Sequence, residues 1–152
     1  MKVLLRTWLI LLGLVAGTVG CTLHRMPPWN LEAPGWSSHE AAAVWRPRQG
    51  APELTGELLI VNHIDGARLV QFSKQGIPLV VTRVDRQGWD IRSPMQSSVH
   101  SGKGRPPSGV LWFLVDEFPP SRPAHSAWSL RLLDDAWILE NKAKGEFLEV
   151  RP

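Results

Sequence analysis

The chain has a single cysteine and no tyrosine, and only 20% of its 152 residues are charged. One thiol excludes an intramolecular disulfide framework and a cysteine-rich metal site. Seventeen Lys and Arg face 14 Asp and Glu, a formal net charge of +3. Two of those cations, Lys2 and Arg6, belong to the first turn of sequence; without them 15 face 14, a net charge of +1. That balance offers no electrostatic footing for nucleic acid, and the basic stretch 103–105 reads as a solvated loop. Catalytic templates are missing too. There is no His-Glu-x-x-His, no Gly-x-Ser-x-Gly and no phosphate loop, since Gly102-Lys103-Gly104 lacks the spacing and the Ser/Thr partner. His63 and Asp65 flank a turn with no third metal ligand nearby, so they read as turn-capping polar residues. His100-Ser101 and His125-Ser126 fall in loops with no orienting acid. Asp116 and Glu117 mark the place where an apolar segment meets solvent. The expectation is a protein that is not an enzyme and carries no metal or dissociable cofactor.

What the chain does have is concentrated at its start. Lys2 and Arg6 are followed by a leucine-rich, nearly uncharged stretch from Trp8 to Ala16, then by Gly17, Thr18, Val19, Gly20 and the lone Cys21. Cationic head, apolar run and small residues are the three parts of a secretory signal. Ending in Gly-Cys, the segment resembles a bacterial lipoprotein signal, with a departure at Thr18, where leucine is usual. The resemblance implies cleavage after residue 20 and a diacylglycerol and N-acyl lipid on Cys21. Residues 1–20 are then a signal peptide, 21–39 a lipidated N-terminus with a proline-rich tether, and 40–152 a single domain. Thr22 and Leu23 do not form the aspartate signal that retains enteric lipoproteins at the inner membrane, so the periplasmic face of the outer membrane is the expected location.

Past Cys21 the chain reads mainly as β. Residues 22–37 mix proline and glycine without an apolar period, as a stiff irregular linker does. Ser37 and Glu40 have capping-box spacing ahead of an alanine run, and Pro47 closes it; a short helical turn and a first strand both fit. Strand-like runs follow at 58–61, 68–74, 77–84 and 89–92, joined at Asp65-Gly66, Gln75-Gly76 and Gln87-Gly88. This spacing predicts an antiparallel meander. Residues 94–109 read as a long polar loop. The continuous apolar run 110–115 fits a short helix or a strand; a helix packed on the sheet is favoured. Alternation around Trp128, Trp137 and Phe147 predicts three closing strands.

Taken together, a lipidated cysteine, a tether, a meander, one apolar crossing segment and more antiparallel strands resemble the LolA/LolB-like superfamily. Sequence echoes are 53–58, Gln75-Gly76-Ile77-Pro78-Leu79, Gly88-Trp89-Asp90-Ile91 and the pair around Trp128 and Trp137. The resemblance covers 40–150 at the level of element order, and points to a compact member rather than the outer-membrane receptor. It implies an α+β, mainly β fold: an antiparallel curved sheet or unclosed β-barrel, with one or two short helical segments packed on its concave side.

Seven tryptophans after Cys21 bring large apolar surfaces, each with one N–H, to a small domain. One functional expectation is a binding module that takes an acyl chain or other apolar ligand. Phe72, Trp89, Trp112, Leu114, Trp128, Trp137 and Leu139 are its candidate lining. The alternative is a structural or assembly lipoprotein with a filled core, acting through a protein partner in the envelope.

Overall fold

The computed structural model describes residues 26–107, 109, 111 and 127–151. They form nine strands in one sheet: β1 (Trp36–Arg46), β2 (Leu54–His63), β3 (Arg68–Lys74), β4 (Ile77–Val84), β5 (Trp89–Ser93), β6 (Ser98–Gly102), β7 (Trp128–Leu132), β8 (Trp137–Asn141) and β9 (Glu146–Arg151). Their order is β6-β5-β4-β3-β2-β1-β9-β8-β7, with every neighbouring pair antiparallel. Two meanders are thus joined where β1 meets β9, and the sheet is unclosed, with β6 and β7 at its ends.

Turn chemistry sets the register. Gln75 and Gly76 both have positive φ, 51° and 74°, and link Lys74 to its partner Ile77 directly. Two central residues of that kind make the tight hairpin whose twist matches the strands it joins. At the next turn the Asp85 carboxylate accepts from the amides of Gln87 (2.7 Å) and Gly88 (3.1 Å). At Gly145, φ is +62° and an added Cβ would lie 2.5 Å from that of Gln49. Gln49 N–H donates to Lys144 C=O at 2.9 Å, so the β1–β2 connection is fastened onto the β8–β9 turn.

Alternation sorts the side chains onto two faces. One face carries Trp45, Leu58, Ile60, Val70, Phe72, Trp128, Trp137, Leu139, Leu148 and Val150, which form the core together with Leu111. Trp45 meets Phe72 edge-on at 5.4 Å between ring centroids. Each fully buried side chain of this size contributes about 1.5–3 kcal/mol. Thr82, also on this face, satisfies its hydroxyl by donating to Val70 C=O at 3.1 Å.

One open alternative is decided, and two features differ from the sequence-based expectation. The stretch with the capping-box spacing is β1, because its odd positions pair with the buried face of β2 (Ala41 opposite Leu58, Ala43 opposite Gly56). The polar loop expected over 94–109 contains a 3-10 turn, Pro94–Gln96, and β6. A strand poor in apolar residues forms there because Gly102 faces Trp89: a Cβ would fall 2.7 Å from the indole, so glycine alone admits that ring. The short helices expected on the concave side are not seen among the described residues. Of the apolar run, only Leu111 is described, helical and buried in the core; residues 112–118 lie outside the described set.

Candidate functional site

Of the seven candidate lining residues, five are described, and all five lie on one face. Phe72 and Leu139 are fully buried, Trp137 and Trp128 nearly so, and Trp89 packs against their cluster. The alternation in the sequence therefore brings together the side chains it nominated, and what they build is the packed interior of the sheet. Trp112, Leu114 and the lipid-attachment residue Cys21 lie outside the described residues.

The opposite face holds something the sequence reading missed. Arg83 on β4 and Asp90 on β5 are direct cross-strand partners, with side chains 6% and 1% exposed. Arg83 Nε donates to Asp90 Oδ1 at 2.9 Å, and an Arg83 Nη closes a second bond to Oδ2. The remaining reach of the guanidinium goes to the chain start: Nη1 donates to Pro27 C=O at 2.9 Å and Nη2 to Met26 C=O at 3.2 Å. Trp29 lies over the same guanidinium at 5.2 Å, and its other neighbour is Trp36, 5.3 Å between centroids. Met26 is buried. Residues 26–35 are irregular, as a linker is, yet they are strapped across the sheet by a buried cation that takes up their carbonyls.

Between this strap and β3–β5 runs a groove of about 340 Å³. Pro28, Trp29 and Leu31 of the strap form one wall, and Leu69, Val81, Arg83 and Arg92 the sheet side, with Pro78 and Pro94 at one end. Arg92 donates from Nη2 to Asp90 Oδ2 at 3.1 Å, so one carboxylate serves two guanidiniums. The pair was accessible to sequence reasoning in one way. Counting outward from the Gln87-Gly88 turn places Arg83 opposite Asp90, and opposite charges facing each other across a hairpin mark a pairing.

The polar residues weighed as catalytic or metal-binding sit elsewhere. His63 Nδ1 lies 2.6 Å from Asp65 Oδ1 at the β2–β3 turn, and its ring meets that of Trp36 at a tilt of 52°, with 4.5 Å between centroids. Asp65 Oδ1 also accepts from the Ala67 amide at 3.1 Å. Together these bonds hold the Asp65 carboxyl below its ordinary value, the His63 hydrogen bond most. His100 is on β6, opposite Ile91, rather than in a loop. Asp116, Glu117, His125 and Ser126 lie outside the described residues. Among the described residues, no group of three His, Cys, Asp or Glu is placed to hold a metal ion, and no helix is long and apolar enough to cross a membrane.

The chain matches no protein-family model, no curated protein and no solved structure. The resemblance to the LolA/LolB-like superfamily thus rests on element order and the short echoes alone.

Proposed function

We propose that this protein is a membrane-tethered binding module of the cell envelope that holds an acyl chain or other apolar ligand, serving lipid or lipoprotein traffic. Its anchor is the diacylglycerol and N-acyl lipid on Cys21, and its place is the periplasmic face of the outer membrane. The observation that carries the reading is the groove of about 340 Å³ with walls of tryptophan, leucine, valine and proline. That volume falls at the lower end of the range usual for small-molecule sites. Apolar walls reward burial of a chain by about 0.8 kcal/mol per CH₂, so binding needs no reacting group, and an enzymatic step forms no part of the proposal. A short helix on the core face is part of the reading, supported by Leu111, which is helical and buried in the core.

The fully buried state of Phe72, Leu58, Ile60 and Leu139 favours a second reading for the interior. A filled core suits a structural or assembly lipoprotein that works through a protein partner. Native mass spectrometry of the purified chain, with tryptophan emission followed during fatty-acid addition, separates the two. Co-purified lipid or a blue shift supports the binding module. A ligand-free protein whose emission ignores fatty acid leaves the structural reading in possession.

A further inference from the structure

The groove reading is a statement about apolar surface; its charges carry it further. Arg83 commits four of its five N–H donors, to Asp90, Met26 and Pro27. Arg92 is different. Among the described residues its side chain makes one hydrogen bond, from Nη2 to Asp90 Oδ2, while its Nε is buried with no partner among them. Its side chain is 39% exposed and lines the groove. Two guanidiniums share one carboxylate, so a positive charge is left over at the groove floor. Among the described residues, no acidic side chain lines the groove. Arg92 is thus a partly exposed cation among an apolar lining, and a guanidinium suits a planar or tetrahedral oxyanion.

Resting on the groove reading above, we infer that the ligand is an amphiphile with a single oxyanion head, carboxylate or phosphate, joined to an apolar body, and that Arg92 takes the head. Leu69 and Val81 receive the body, with Trp29 and Leu31 closing over it. Two sources supply that chemistry: a free fatty acid or alkyl phosphate, and an anionic lipid of the membrane that carries the anchor.

The test uses the full chain in phosphatidylcholine nanodiscs, titrated calorimetrically with octanoate and with octanol, empty discs being the reference. Octanoate binds the wild type at least about tenfold more tightly than octanol, the value of one charge-assisted hydrogen bond. Arg92→Gln abolishes that preference, so that octanoate and octanol bind the variant within about twofold of each other. Equal binding of octanoate and octanol, or an Arg92→Gln variant that keeps the preference, overturns the anion inference while leaving an apolar groove. Failure of both ligands to bind removes the groove reading itself. Discs with one-fifth phosphatidylglycerol identify the source: competition with octanoate supports the membrane lipid as the ligand, and undiminished octanoate binding supports the free amphiphile.

Discussion

Three residues set limits that are readable at atomic distance. An added Cβ at Gly56 would lie 2.0 Å from the Ser73 carbonyl oxygen, beside the register shift between Phe72 and Ser73. That neighbour is backbone and cannot swing aside. Gly56→Ala is expected to cost more than about 3 kcal/mol, at or beyond the usual upper range for overpacking, and chemical denaturation checks it. Gln75 holds φ at 51°, where a side chain with a Cβ is strained but asparagine is tolerated. Gln75→Asn is therefore expected to raise stability by about 0.5 kcal/mol, seen as a higher denaturation midpoint with unchanged slope. Asp65 supplies the pH-dependent case. Its folded value lies below 3.8 because the hydrogen bond with His63, then that from the Ala67 amide, favours the carboxylate. Such a contribution is fully present above the unfolded value and lost as pH falls through the depressed folded one. Exchange protection of the Ala67 amide should persist where a free aspartate is already half protonated and drop only further into acid, and Asp65→Asn should abolish that pH dependence.

At the scale of elements, the strap and its ion pair stand or fall together. Removing the Asp90 charge leaves Arg83 and Arg92 facing each other without their shared anion. Breaking a buried pair from one side typically costs about 3–5 kcal/mol. Asp90→Asn should therefore destabilise the domain by about that much and free the strap, read as faster hydrogen exchange at Trp29 and Leu31. Arg83→Met with Asp90→Leu removes both charges at once and should recover part of the loss, while the strap stays loose for want of a donor to its carbonyls. The same elements mark how far the text of the chain could be read. β2 to β5 were legible because apolar runs alternate with glycine turns of defined geometry, and β7 to β9 because apolar residues recur at every second position: Trp128, Leu130 and Leu132, then Trp137 and Leu139, then Leu148 and Val150. β6 was not, since Ser98, His100 and Gly102 carry no apolar signal, and the strand exists through what Trp89 does to its neighbour. The strap was not legible either: prolines announce irregularity, but only a buried guanidinium on a strand more than fifty residues away turns irregular chain into a docked wall. For the candidate site, none of the five nominated residues that are described lines the groove, and all five pack the opposite face, because alternation predicts which residues share a face but not which face is filled and which carries a groove.

For the whole molecule, the governing quantity is the length between anchor and groove. Cys21 lies five positions before Met26, a span of at most about 18 Å when extended, and Met26 is held against Arg83. If Cys21 carries the lipid, the groove therefore sits at headgroup depth rather than far out in the periplasm, and an amphiphile leaving the bilayer meets it at once. The full chain in vesicles containing a lipid spin-labelled at the headgroup should show quenched tryptophan emission. Trp29→Phe should remove a measurable share of that quenching. Inserting ten Gly/Ser residues after Thr22 lengthens the flexible tether to an r.m.s. reach of roughly 20 Å and should cut the Trp29 share without altering the denaturation midpoint. Cys21→Ala should eliminate the lipid mass from the intact protein. A Trp29 share that ignores the insertion would separate the groove from the membrane surface, and a lipid-free wild-type mass would remove the anchor on which that placement depends.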